Sequence, residues 1–95
     1  MLAHPLAADA PQPVRFTLTA DASAGLLPRL LEPFARRDLI PDRVTAQCSG
    51  AALLVEIAMD AMPAEMLHLV ECNLRQVVGL RALTREIAGS LPIAA

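Results

Sequence analysis

Two kinds of feature in this chain could do chemistry: one pair of side chains and one stretch of backbone. His68 and Cys72 stand four residues apart, a spacing that puts two metal ligands on one face of a helix. Two ligands are too few for a structural zinc site, which closes with four. The expected arrangement is a half-exposed histidine beside a core-lining cysteine, with no metal and no cofactor. The other histidine, His4, falls in a proline- and alanine-rich lead-in. No Ser-His-Asp set and no carboxylate pair is apparent, so the chain does not read as an enzyme. The backbone feature lies in residues 14–39. An alternating apolar-polar segment stops at a small-residue turn carrying Gly25, and a segment of helical period begins at once. A strand that enters a helix through such a turn presents N–H groups at the positive end of the helix dipole, where a small anion can sit.

The elements that would hold this turn are legible from periodicity. Val14, Phe16, Leu18 and Ala20 alternate with Arg15, Thr17 and Thr19, which predicts a half-buried strand. Asp21 and Ser23 are candidate caps for the helix that follows, and Pro28 sits early enough to be tolerated. Leu27, Leu30, Leu31 and Phe34 form its apolar face. Pro33 conflicts with this helix, since it has no N–H for the carbonyl of Arg29 and should kink it. Val44, Ala46 and Cys48 alternate with Thr45 and Gln47, and residues 49–51 form a hairpin turn. Leu53, Val55, Ile57 and Met59 then point to one face of a third strand. Asp60 and Pro63 mark the start of a second helix with an apolar stripe of Met66, Leu67, Val70, Leu74 and Val77. Val78, Leu80 and Ala82 suggest a last strand.

Ninety-five residues make one domain, with residues 1–13 and 87–95 expected as tails around a domain at 14–86. The composition is 55% hydrophobic, with a mean hydropathy of +0.46, high for a soluble monomer. A membrane span is excluded because charged residues or prolines break every apolar run well short of about 18 residues. The excess apolar surface is instead expected to be buried between two copies of the chain, a homodimer. All eight basic residues are arginine and the net charge is −2, which gives no basic patch for nucleic acid. Cys48 and Cys72 are too few for a disulfide framework, and the start of the chain lacks the basic and apolar regions of a signal peptide. A cytoplasmic protein with free thiols is expected.

The order strand, helix, strand, strand, helix, strand predicts an α+β, ferredoxin-like βαββαβ sandwich: a four-stranded antiparallel sheet with both helices on one face. The uncovered face is predicted to carry Arg15, Thr17, Thr19, Thr45, Gln47, Leu54, Glu56, Ala58, Arg81, Leu83 and Arg85. RNA-recognition domains share this order but need aromatic platforms on the central strands. The chain has no Tyr or Trp and two Phe, one of which, Phe16, points to the core. Copper chaperones need a Cys-x-x-Cys pair in the first loop, where residues 21–25 hold no cysteine.

The segment Ala24-Gly25-Leu26-Leu27-Pro28-Arg29, with Phe34 and Arg37 after it and Asn73-Leu74-Arg75-Gln76-Val77-Val78-Gly79-Leu80 near the end, resembles the ACT domain family, and within it the regulatory small subunit of acetolactate synthase. The likeness covers residues 14–86. It implies a regulatory module of amino-acid metabolism, a subunit that stabilises or regulates a catalytic partner enzyme. It also implies a homodimer with sheets joined side by side. A branched-chain amino-acid effector would lie between the first strand-helix turn of one subunit and its neighbour, touching Ser23, Ala24, Gly25, Leu26, Leu27 and Ile40. The sequence departs from that family at Ala22 and Ile40, where the family carries asparagines. This leaves an alternative: a ligand-free dimerisation or docking module whose effector site has decayed.

Overall fold

The alternation in residues 14–20 becomes the centre of a sheet. A computed structural model describes residues 10–87, with β1 at Gln12–Asp21, α1 at Leu26–Arg36, β2 at Arg43–Ser49, β3 at Ala52–Met62, α2 at Ala64–Arg75 and β4 at Leu80–Ile87. The four strands form one antiparallel sheet in the order β2-β3-β1-β4. The expected tails lie, at residues 1–9 and 88–95, outside the described residues, and so does His4. No helix among the described residues is long and apolar enough to cross a membrane.

Val14, Phe16, Leu18 and Ala20 are buried, as are Leu53, Val55, Ile57 and Met59 opposite them. Both helices cover this face. Phe34 of α1 meets Phe16 edge to face, with ring centroids 5.9 Å apart, a geometry worth about 0.5–1.5 kcal/mol beyond area burial. Glu71 of α2 pairs at 3.0 Å with Arg85, which lies in register with Phe16. The buried stripe of α1 is Leu26, Leu30, Pro33 and Phe34, with Leu27 and Leu31 at its margins. The helix runs through Pro33 without a break, and the proline ring is part of its buried face.

Helix ends depart from the expected caps. Neither Asp21 nor Ser23 caps α1; its N-cap is Gly25, with no side-chain hydrogen bond. Asp21 instead accepts a hydrogen bond from Arg81 Nε at 2.7 Å. Pro63 is the N-cap of α2, and Asp60 stays in β3, where its N–H donates to Asp42 Oδ2 at 2.6 Å. The C-terminus of α1 closes as a Schellman motif: Leu39 N–H donates to the Phe34 carbonyl at 2.9 Å and Asp38 N–H to that of Ala35 at 3.1 Å. Asp38 takes the left-handed position, φ 60°, usually held by glycine.

Two strands differ from the alternation read in the sequence. In β4, Thr19 faces Ala82 but Ala20 faces Leu80, so Arg81 is an extra residue. This bulge reverses the phase. Leu83, Arg85 and Ile87 therefore share the helix-covered face, and Ala82, Thr84 and Glu86 share the open one. The expectation that Leu83 and Arg85 lie on the open face is thereby corrected. In β2, all seven residues are exposed. Val44, Ala46 and Cys48 face the same side as buried Ile57, Val55 and Leu53, but the helix layer does not reach this edge.

Candidate functional site at the first strand to helix turn

Residues 22–25 leave the sheet between two anchors. Asp21 N–H donates to the Gly79 carbonyl at 2.9 Å, and Ala22 N–H donates to that of Ala51 at 3.0 Å. The first bond ties the turn to the loop before β4, the second to the β2–β3 hairpin. That hairpin turns tightly on Gly50-Ala51 with Gly50 at φ 63°, the pattern of a type II′ turn. The Leu26 N–H then returns to the Ser23 carbonyl at 3.1 Å and starts α1.

What remains is a set of donors. Among the described residues, the N–H groups of Ser23, Ala24 and Gly25 have no hydrogen-bond acceptor. The first turn of α1 carries no acidic side chain, so the positive end of its dipole is uncompensated. Arg29, one turn on, brings its guanidinium carbon to 4.0 Å from where a Cβ on Gly25 would stand. Three free backbone donors, a helix N-terminus and a guanidinium thus converge on one exposed corner. Their shared chemistry is attraction for a small anion such as a carboxylate.

The glycine is not there for the backbone's sake. Gly25 has φ −86° and ψ −5°, which any residue adopts. The sterically fixed glycine is Gly79, at φ 101°, where a Cβ would come within 3.1 Å of Leu26 Cδ2. Gly79 therefore supports the turn from beneath, through Leu26 and through the bond to Asp21.

The expected ligand contacts divide. Ser23, Ala24 and Gly25 are exposed at the turn and Leu27 is half-buried beside it, whereas Leu26 is 3% exposed and belongs to the core. Ile40 is 84% exposed and lies past the far end of α1. That helix is about 16 Å long at 1.5 Å per residue. Ile40 precedes the end of β2 where Arg43 faces Ala58, while the turn adjoins the opposite end of the sheet. One chain does not bring Ile40 to the turn.

Elsewhere the side chains do different things. His68 Nε2 and Cys72 Sγ approach to 3.5 Å on α2, and no third His, Cys, Asp or Glu among the described residues joins them in a metal-binding cluster. On the open face, Arg43, Ala58, Arg15 and Glu86 form one cross-strand row. Arg15 donates to the Glu86 carboxylate from Nε at 2.9 Å and also from Nη2, and it lies 3.4 Å from Glu56. The hydrogen bond to Glu86, then the charges of Glu86 and Glu56, hold its guanidinium above the ordinary arginine pKa.

Comparison with known proteins agrees with this architecture. No curated protein sequence matches the chain. The crystal structure of the ACT domain from GTP pyrophosphokinase of Chlorobium tepidum superimposes with a TM-score of 0.69 at 10% identity, covering 80% of this chain and 99% of that one. The solution structure of that ACT domain gives 0.65 at 11% identity, over 78% and 84%. The C-terminal domain of the MgtC protein from Mycobacterium tuberculosis gives 0.63 at 12% identity, over 81% and 87%. At these identities the likeness is one of fold. The ACT-like domain family matches residues 7–89, nearly the whole chain and every element described above. With the βαββαβ order and the sheet order both in place, the chain belongs to the ACT-like domain family.

Proposed function

We propose that this protein is a non-catalytic regulatory ACT module that pairs with a second copy through β2 and senses a small carboxylate-bearing effector at the turn of residues 23–25. A branched-chain amino acid is the first candidate. The observation that carries this reading is the uncapped start of α1, with three free N–H groups and Arg29 beside them. A carboxylate there would replace the missing cap, and half-buried Leu27 offers an apolar neighbour for a side chain. The resemblance to the acetolactate synthase small subunit supports an enzyme of amino-acid metabolism as the partner, and two free thiols suit a cytoplasmic setting.

Pairing through β2 is favoured over β4 by charge. Exposed sheet edges are commonly protected by charged side chains. β4 carries Arg81, Arg85 and Glu86, whereas β2 carries one charge, Arg43 at its first position. An edge whose only charge is at one end and which is uncovered on its helix side is suited to joining another sheet. Such a neighbour would also be the source of any second wall to the effector site.

The test is thermal unfolding with valine, leucine or isoleucine at millimolar concentration. A rise in Tm with one of them supports the reading, because a ligand held by the native state alone must stabilise it. An unchanged Tm with every amino acid tried sinks it. That outcome would favour the second reading, a ligand-free docking module. Ala22 and Ile40 speak for this alternative, since neither offers the side-chain amide that the family places there.

A further inference from the structure

The His68–Cys72 pair of α2 takes no part in the core or in the turn of residues 23–25. His68 is exposed and Cys72 half-buried, and their Nε2 and Sγ atoms stand 3.5 Å apart one helical turn from each other. That separation is also the edge of a tetrahedral zinc site. A Zn–N bond of about 2.0–2.1 Å and a Zn–S bond of about 2.3 Å, at the tetrahedral angle, set the two donor atoms about 3.5–3.6 Å apart. The helix thus already holds one imidazole and one thiol at the spacing the metal requires. The pair is half a site. Closure takes four ligands, and among the described residues no third His, Cys, Asp or Glu joins it.

A second copy of the chain supplies the other half, two imidazoles and two thiolates in all. We propose that two copies bind one zinc ion between their α2 helices, through His68 Nε2 and Cys72 Sγ of each. On binding, each thiol gives up its proton to solvent and each imidazole ligates as the neutral ring. The two thiolates cancel the charge of the ion, so the closed site buries no net charge. Thiolate and imidazole in a tetrahedral set suit zinc rather than a hard cation such as magnesium or calcium. The surroundings fit a facing helix. Leu69 is 46% exposed, and at about 100° per residue it lies within about 60° of Cys72 around α2. A second α2 covers this apolar side chain as it brings in its own ligands. Arg75, three residues beyond Cys72, is paired with Glu71 at 2.9 Å, so its charge does not stand unopposed beside the metal. The contact is two-fold and self-complementary, the commonest kind between identical chains. It is also separate from β2. Glu71 ties α2 to Arg85 of β4, and β4 and β2 are opposite edges of the sheet. The zinc site therefore depends neither on pairing through β2 nor on the turn holding an effector.

The experiment is sedimentation of the full chain, kept reduced, with and without Zn²⁺, together with a calorimetric titration. Zinc is expected to at least double the mass of the species present without it and to bind at one ion per two chains. Co²⁺ in its place is expected to give the strong visible absorption of a tetrahedral complex with thiolate ligands. His68→Gln and Cys72→Ser, at accessible positions outside the core, are each expected to abolish the mass increase and the stoichiometric uptake. Cys48→Ser is expected to leave both intact, and so is Ala46→Lys, which disturbs the β2 edge instead. One zinc per chain, no uptake at micromolar Zn²⁺, or a mass increase that survives His68→Gln overturns the proposal and leaves the reading of the turn untouched.

Discussion

The two glycines nearest the start of α1 should respond unequally to the same substitution. Gly79→Ala places a methyl group on a residue at φ 101°, outside the regions open to L-residues. Holding a residue in such a region costs about 1–3 kcal/mol. The new Cβ would also stand 3.1 Å from Leu26 Cδ2 and 3.4 Å from Cδ1. Leu26 is 3% exposed and packed into the core, so it has little room to retreat. Overpacking of that kind costs about 1–3 kcal/mol. The sum is at least about 2 kcal/mol, equivalent to a fall in Tm of at least roughly 8–16 °C for a domain of this size. Gly25→Ala meets none of this. Its φ is −86° and the nearest atom to the added Cβ is 4.0 Å away. Reduced freedom in the unfolded chain favours alanine by about 0.4–1 kcal/mol, and the N-cap preference for glycine offsets much of that. The net change should stay within about 0.5 kcal/mol. Urea denaturation at one fixed protein concentration measures both variants. A Gly25→Ala loss equal to that of Gly79→Ala, or a neutral Gly79→Ala, would refute the assignment of Gly79 as the support of the turn.

Two further substitutions probe the fold and its assembly. Asp38→Gly should stabilise the domain by about 0.5–1 kcal/mol, because Asp38 holds the left-handed position of the Schellman motif; a lower urea midpoint would contradict this. Ala46→Lys puts a charge in the middle of the exposed β2 edge. It should leave the monomer's circular dichroism and unfolding intact while abolishing dimers in sedimentation, and a wild-type chain that sediments as a monomer would remove the β2 interface.

Much of the fold is legible in the local sequence. β1 from Val14 to Ala20 and β3 from Leu53 to Ile57 alternate because both are central strands with one covered face; beyond Ile57 the burial of Ala58 and the register shift opposite residues 12–14, which buries Met62, break the pattern. The stripe of α2, with Val70 and Leu74 fully buried, follows from the same rule at helical spacing. The edge strands were harder. β2 alternates as though it were half-buried, yet exposure depends on how far the helix layer extends, which no local pattern records. In β4 one extra residue, Arg81, reverses the phase of everything after it, so local alternation assigns Leu83 and Arg85 to the wrong face. The extra residue is visible only against a partner strand.

The candidate site shows the same division. The run of residues from β1 through a small-residue turn into α1 is written in the local sequence, because alternation and helical period are properties of neighbouring side chains. That run offers Asp21 and Ser23 as caps, and neither is spent on the helix in the folded chain. Tertiary structure decided the rest. It diverted Asp21 to Arg81, folded Arg29 back over Gly25, set Gly79 beneath Leu26, and placed Ile40 at the opposite end of the sheet from the turn. Each of these depends on contacts between segments far apart in the chain. The sequence specifies where the turn lies; only packing determines that its donors stay uncapped and what stands beside them.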